Sequence, residues 1–136
     1  MSIAAATADR VEIAELFARL ARLLDEGRHE DAPTVYHHDI RVSSPRAELR
    51  GLDEVAAHLR RSRVEGEGTQ HVHGDVLVRL DGDRAEVTAG QLVYFYRDGE
   101  PPHRTAGLRL ACVTVRTPAG WRIGEMRITL AWTQER

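Results

Sequence analysis

The sequence contains no lysine and no asparagine, so arginine supplies all 19 side chains of the lysine and arginine total. Schiff-base enzymes, pyridoxal phosphate enzymes and P-loop nucleotide hydrolases need a lysine at the reacting centre, and these classes are excluded. Without asparagine the chain has no N-glycosylation sequon. The 21 acidic residues are interspersed with the arginines and leave a formal net charge of −2. A nucleic-acid-binding protein would show a basic stripe, so we expect no nucleic-acid partner.

Cysteine and long apolar segments are also scarce. The one cysteine, Cys112, excludes an intrachain disulfide and a zinc site built from several thiolates. No apolar segment approaches the roughly 18 residues that cross a bilayer. Residues 1–6 lack the basic and apolar parts of a signal peptide. We therefore expect a cytoplasmic protein with no membrane partner, folded as a single domain over residues 1–136.

Hydrophobic periodicity predicts helices in the first half of the chain. Apolar residues recur every three or four positions from Ile13 to Leu24, with Asp9 as the expected N-cap and Gly27 as the stop. Two further helices are expected over residues 29–36 and 51–61, and a short extra strand between them over residues 40–43.

After Gly68 the period changes to two, which is typical of strands. Four long strands separated by turn residues are expected over residues 70–80, 84–97, 105–117 and 121–133. Helices followed by an antiparallel meander predict an α+β fold. We expect a cone-shaped α+β barrel in which three N-terminal helices pack in a curved, mostly antiparallel sheet and leave a cavity between helices and sheet.

Six short segments spread over nearly the whole chain carry a recognisable pattern. They are Leu24-Asp25-Glu26-Gly27, Asp39-Ile40-Arg41-Val42, Arg50-Gly51-Leu52-Asp53-Glu54-Val55, Thr69-Gln70-His71, Asp81-Gly82-Asp83-Arg84-Ala85 and Gly120-Trp121-Arg122-Ile123. In order and spacing they resemble the SnoaL-like branch of the nuclear transport factor 2 superfamily, which includes scytalone dehydratase, ketosteroid isomerase and polyketide cyclases. The resemblance implies the cone-shaped fold and a hydrophobic small-molecule ligand, but the fold hosts many activities and does not fix the reaction.

Asp25 and His71 are the candidate catalytic pair. The resemblance implies that these positions form a hydrogen-bonded acid/base pair in the pocket. A carboxylate that holds one imidazole nitrogen fixes the tautomer and leaves the other nitrogen to move a proton. The alternative is that Asp25 only ends the helix and that His71 is a structural histidine. The tyrosine pair and the asparagine of the dehydratase-like members are replaced by Leu24, Ser44 and Leu110, so scytalone dehydration itself is not expected.

The resemblance and the alternation of the strands also give a candidate substrate-binding set: Phe17, Leu24, His73, Tyr94, Tyr96, Leu110, Cys112 and Trp121. Tyr94, Phe95 and Tyr96 are consecutive, so at least one ring faces the cavity and one faces away; the sequence leaves open which. His71 and His73 share a strand face at a metal-ligand spacing, but no further ligand follows at a suitable distance. We therefore expect neither a metal nor another cofactor.

The third long strand has two different faces. Leu108, Leu110, Cys112 and Thr114 alternate with Arg109, Ala111, Val113 and Val115. By the resemblance the first set faces inward, so the partly apolar second set would be exposed in a monomer. Members of the superfamily commonly dimerise through this face, which implies a homodimer.

The predicted function is a small cofactor-independent enzyme that uses general acid/base chemistry on a hydrophobic small molecule. Lyase, isomerase and cyclase activities stay open, and the resemblance implies a polyketide or other secondary metabolite as substrate. The alternative is a non-catalytic ligand-binding or dimeric accessory protein of the same fold.

Overall fold

The computed structural model describes residues 2–136. The chain order is α1 (Ile3–Glu26), a 3-10 helix (His29–Thr34), β1 (Tyr36–Ser43), β2 (Glu48–Arg50), α2 (Leu52–Arg61), β3 (Gly68–Asp81), β4 (Arg84–Tyr96), β5 (Arg104–Thr117) and β6 (Gly120–Glu135).

The six strands form one mixed sheet in the order β2-β1-β6-β5-β4-β3. Neighbouring strands are antiparallel except β1 and β6, which run parallel. Helix α1 packs on β3 and β6, and its buried stripe faces the inner side of the sheet. The predicted cone-shaped α+β fold is confirmed.

Helix α1 begins earlier than its apolar pattern predicts. The hydroxyl of Ser2 caps it by accepting a hydrogen bond from the Ala5 amide, because the alanine-rich residues 3–8 favour helix. The predicted N-cap, Asp9, lies inside the helix instead. It is buried and binds Arg116 and the Trp121 indole across the core. The stop is as predicted: Gly27 closes the helix in the left-handed region at φ 66°.

The second predicted helix is shorter than expected and is not an α-helix. Residues 29–34 form a single 3-10 segment containing Pro33, which cannot donate a backbone hydrogen bond. The chain then enters β1 at Tyr36, four residues before the predicted strand. His37 and His38 therefore lie on a strand. Tyr36 is buried in the core.

The core lies between α1 and the inner face of β4–β6. Its largest fully buried side chain is Trp121. Ile123 and Met126 complete this part of the core. On β5 the predicted inward set alternates with an outward set of lower burial. Within residues 2–136, no helix is long and apolar enough to cross a membrane.

Candidate functional site

A cavity of about 430 Å³ opens between the end of α1, α2 and the inner face of β3–β6. Its apolar lining is Leu24, Pro45, Leu59, Val64, Val93, Phe95, Ala106, Leu108, Ile128 and Leu130. Its polar and charged lining includes Asp25, His29, Ser44, Arg46, His58, Ser62, Arg63, Glu67, Thr69, His71, Gln91, Arg104 and Thr133. This volume lies within the roughly 300–1,000 Å³ typical of small-molecule sites. The cavity is therefore large enough for a ligand with a ring system.

The cavity contains the hydrogen-bonded pair expected from the sequence. Asp25 is in the last turn of α1 and His71 is on β3, and His71 Nδ1 lies 2.6 Å from Asp25 Oδ1. The two side chains are only 21% and 13% exposed, respectively. An ionised carboxylate can only accept, so Nδ1 carries the proton in this bond.

Two further donors fix the carboxylate. The His71 backbone amide lies 2.9 Å from Asp25 Oδ2, and the Thr69 hydroxyl donates to Oδ1 over 3.1 Å. Thr69 and His71 point to the same side of β3 because side chains alternate along a strand. The spacing of Thr69 and His71 in the sequence places both side chains on one face of a strand, but only the folded structure shows that Thr69 contacts Asp25.

His71 Nε2 forms no hydrogen bond to any residue in the range 2–136. With the proton on Nδ1, this second nitrogen carries a lone pair. Since His71 lines the cavity, the arrangement can remove a proton from a bound molecule and return it.

A second ionisable pair lies near the cavity and was not recognised in the sequence. Glu67, which lines the cavity, places Oε2 2.8 Å from Nε2 of His103. The His103 amide in turn donates to the Phe95 carbonyl. The two residues are 36 positions apart, so only the pairing of β3, β4 and β5 reveals their contact.

Not all of the proposed substrate-binding residues reach the cavity. Leu24 lines it. Five others are packed in or beside the core outside the lining, with little or no access to a ligand: Phe17, His73, Leu110, Cys112 and Trp121. Leu108 lies two residues before Leu110 on the same face of β5, and it lines the cavity instead.

The structure shows which of the three consecutive aromatic residues faces the cavity. Phe95 pairs with Thr69 on the inner side and lines the cavity. Tyr94 and Tyr96 therefore point to the outer face, where the Tyr96 ring covers Gly68 so closely that a Cβ there would collide with it. Neither tyrosine supplies a hydroxyl to the cavity, because strand β4 has no bulge at these residues.

Burial shifts the pKa values of His73 and Cys112, which both lie outside the cavity lining. His73 Nε2 lies 2.8 Å from Gln91 Oε1 and ties β3 to β4 below the cavity. Burial lowers the pKa of His73, which favours the neutral ring. Burial raises the pKa of the Cys112 thiol to about 12, so it stays protonated at neutral pH.

A separate group of possible metal ligands lies on β1. One ligand atom from each of His37, His38 and Asp39 falls within 4.8 Å of the others. The imidazole of His38 and the carboxylate of Asp39 are about three-quarters exposed and already contact each other at 3.1 Å. This group lies outside the cavity lining.

The family model of the SnoaL-like domain matches residues 5–127. No curated protein matches the sequence. Among solved structures, an NTF2-like protein with a cystatin-like fold from Novosphingobium aromaticivorans is 29% identical, with a TM-score of 0.77 over 91% of this chain and 82% of that one. A putative scytalone dehydratase from the same species is 16% identical, with a TM-score of 0.83 over 96% and 89%. A hexachlorocyclohexane dehydrochlorinase is 12% identical, with a TM-score of 0.85 over 99% and 93%.

The match to the family model covers most of the chain, and the two structures under 25% identity agree with it in fold. The resemblance inferred from the six sequence segments is thus confirmed. The chain belongs to the SnoaL-like domain family and has the cone-shaped fold of the nuclear transport factor 2-like superfamily.

Proposed function

We propose that residues 1–136 form one SnoaL-like domain that catalyses proton transfer on a hydrophobic small molecule without a cofactor. The observation that carries the proposal is the 2.6 Å contact between His71 Nδ1 and Asp25 Oδ1, while His71 Nε2 has no hydrogen-bond partner within residues 2–136 and His71 lines a cavity with an apolar part. His71 is the general base and then the general acid, and Asp25 orients it.

The proposed reaction begins when Nε2 takes a proton from a carbon next to an electron-withdrawing group of the substrate. The positive charge that forms on the imidazole is stabilised by the Asp25 carboxylate, which is held by Thr69 and by the His71 amide. The proton then returns to another atom, as in an isomerase or cyclase, or leaves with a departing group, as in a lyase.

Elimination is the reaction type that the comparisons favour. A dehydratase removes water and a dehydrochlorinase removes hydrogen chloride, and the putative dehydratase and the dehydrochlorinase described above share this fold. Each elimination needs one base close to a carbon acid, and His71 supplies one. The apolar lining supports a ring-containing substrate such as a polyketide or another secondary metabolite.

The test is a screen of cyclic β-hydroxy and β-halo ketones in deuterated water, followed by mass spectrometry. We expect loss of water or halide, or solvent deuterium at the carbon that His71 deprotonates. The matched variant is His71→Asn, whose amide still donates to Asp25 but has no counterpart of Nε2. Its rate is expected to fall by about 10²–10⁴-fold.

Full activity in the His71→Asn variant would contradict the proposal. A different function, ligand binding without catalysis, predicts another result: the wild type would turn over no compound that it binds, and the variant would retain the affinity for that compound.

We also propose a homodimer that forms through the outer face of the sheet. Val72, Leu77 and Trp132 are 44%, 71% and 46% exposed. Val72 and Leu77 occupy outward positions of β3, and the Trp132 ring lies over Gly107 on the outer side of β5. A monomer would leave this apolar surface in water, which supports burial against a second copy.

A further inference from the structure

The mouth of the cavity carries more positive charge than its carboxylates compensate. Three arginines, Arg46, Arg63 and Arg104, line the cavity together with two acidic residues. Both acidic residues are already engaged: Asp25 by His71 and Glu67 by His103.

None of the three guanidinium groups is paired within the residues that the structure describes. No carboxylate in the range 2–136 lies within salt-bridge distance of them. Arginines elsewhere in the chain do form such pairs, for example Arg116 with Asp9 and Arg28 with Glu26. Most of the other arginines in the described residues also lack such a partner, so this set is distinguished by its position around a cavity whose two carboxylates are already engaged.

Two of these arginines are positioned by their surroundings. The Arg104 guanidinium carbon lies 3.8 Å from the centre of the Phe95 ring on the cavity wall, a contact that holds the group in place while its edge stays available to donate. The Arg63 guanidinium lies against Gly27 at the end of α1, where a Cβ would collide with it. Gly27 thus provides the space for Arg63 as well as the left-handed turn.

His29 is another residue of the cavity lining. Burial, then the neighbouring charges of Arg63 and Arg60, lower the pKa of His29. A site that disfavours a second cation favours an anion.

We propose that the natural ligand is an amphipathic acid: an apolar ring system that fills the cavity and a single anionic group that binds Arg63 and Arg104 at the mouth. This inference rests on the proposed function, since it names the substrate class of the same cavity. Arginine donates in a fork that matches a carboxylate, which makes a carboxylic acid the best fit. The neutral form of such a ligand would leave the arginines without a partner.

The experiment compares two fluorescent dyes with the same arylamine skeleton: 1-anilinonaphthalene-8-sulfonate, which is anionic, and N-phenyl-1-naphthylamine, which is neutral. We expect the wild type to bind the sulfonate at least about tenfold more tightly. The double variant Arg63→Gln/Arg104→Gln should lose most of this preference and bind the neutral dye within about twofold of the wild type. The preference should also shrink as salt rises, because charge pairs at the mouth are screened.

Two controls locate the effect. Arg22→Gln/Arg97→Gln removes two exposed charges outside the cavity and should leave both affinities unchanged. Ala106→Phe fills the cavity from its buried wall and should abolish binding of both dyes, with folding checked by circular dichroism.

A competition experiment separates binding of an amphipathic acid from binding of any anion. Inorganic sulfate should displace the anionic dye far less well than 2-naphthoate, a carboxylate on an apolar ring system, does.

Equal affinity of the wild type for the two dyes, or binding of neither, would overturn the inference. So would displacement by sulfate as effective as by 2-naphthoate, a preference that survives the Arg63→Gln/Arg104→Gln double variant, or dye binding that survives Ala106→Phe. Dye binding needs no turnover, so the two proposals fail separately. If turnover depends on His71 but the cavity shows no preference for the anionic dye, only this inference is contradicted. If the anion is preferred but the His71→Asn variant is fully active, only the proposed reaction is contradicted.

Discussion

Asp25 accepts hydrogen bonds from both the ring and the backbone of one residue, His71. The ring Nδ1 lies 2.6 Å from Oδ1 and the backbone amide lies 2.9 Å from Oδ2. The carboxylate is thus tied to the same strand residue whose imidazole it orients. This double contact joins the end of α1 to β3 and aligns the ring without help from a mobile loop.

The first prediction concerns the tautomer of His71. In the wild type we expect the neutral ring to carry its proton on Nδ1, because the Asp25 carboxylate can only accept. Asp25→Asn offers an amide that can donate to Nδ1, so the proton should move to Nε2 in part or all of the population. Nitrogen-15 NMR of the imidazole distinguishes the two forms. An unchanged tautomer in the variant would mean that Asp25 does not set it.

Thr69→Val should destabilise the fold. The change keeps a branched side chain but removes the hydroxyl that donates to Asp25 over 3.1 Å. A hydrogen bond to a charged group contributes roughly 1.5–3 kcal/mol, and we expect the lower end because neither Thr69 nor Asp25 is fully buried. Urea denaturation measures the loss, and Thr129→Val, at an exposed position of β6, is the control. Equal effects of the two changes would assign the loss to strand propensity rather than to Asp25.

Acid should weaken the fold through Asp9. The hydrogen bonds from Arg116, then that from the Trp121 indole, lower the pKa of this carboxylate. A lowered folded-state pKa stabilises the protein above the pKa near 4 of a free aspartate, and this stabilisation is lost as the pH falls through the lowered value. The gap in melting temperature between wild type and Asp9→Asn should therefore narrow below about pH 4. Asp98→Asn, in an exposed turn, should show no such dependence. A constant gap for Asp9→Asn would contradict the argument.

Cys112 should be inert in the native protein. Burial raises the pKa of its thiol to about 12, so almost no thiolate exists at pH 8 and the side chain is out of reach of a reagent. Ellman's reagent should show no reaction in buffer and one thiol per chain in 8 M urea. Rapid labelling of the folded protein would show that the core opens at β5.

A single charge should split the proposed dimer. Ala111 is exposed at an outward position of β5, and in a two-fold interface Ala111→Arg would bring like charges of the two copies together. We expect light scattering to report a mass near twice 15.2 kDa for the wild type and a monomer for the variant. Ala14→Arg, on the solvent side of α1, should remain a dimer. A monomeric wild type would end this proposal.

The local patterns of the sequence were enough for most elements. The change of period after Gly68 predicted the four long strands within a few residues, and Gly27 ended α1 as expected. Predictions made at element ends fared less well. The N-cap moved from Asp9 to Ser2, and Tyr36 joined a strand rather than a helix, because buried tertiary contacts outweigh local signals at such positions.

The sequence by itself excluded lysine-dependent chemistry. It also predicted that inward and outward side chains alternate along β5, and it identified Asp25 and His71 as the candidate catalytic pair, since each of these inferences depends on residue type and local spacing. Tertiary structure decided which of these residues meet. It placed Phe95 rather than Tyr94 or Tyr96 on the cavity, and it joined Glu67 to His103. It also gathered Arg46, Arg63 and Arg104 from three parts of the chain around one opening. No local pattern encodes such contacts, because the register between strands and the packing of α1 on the sheet set them.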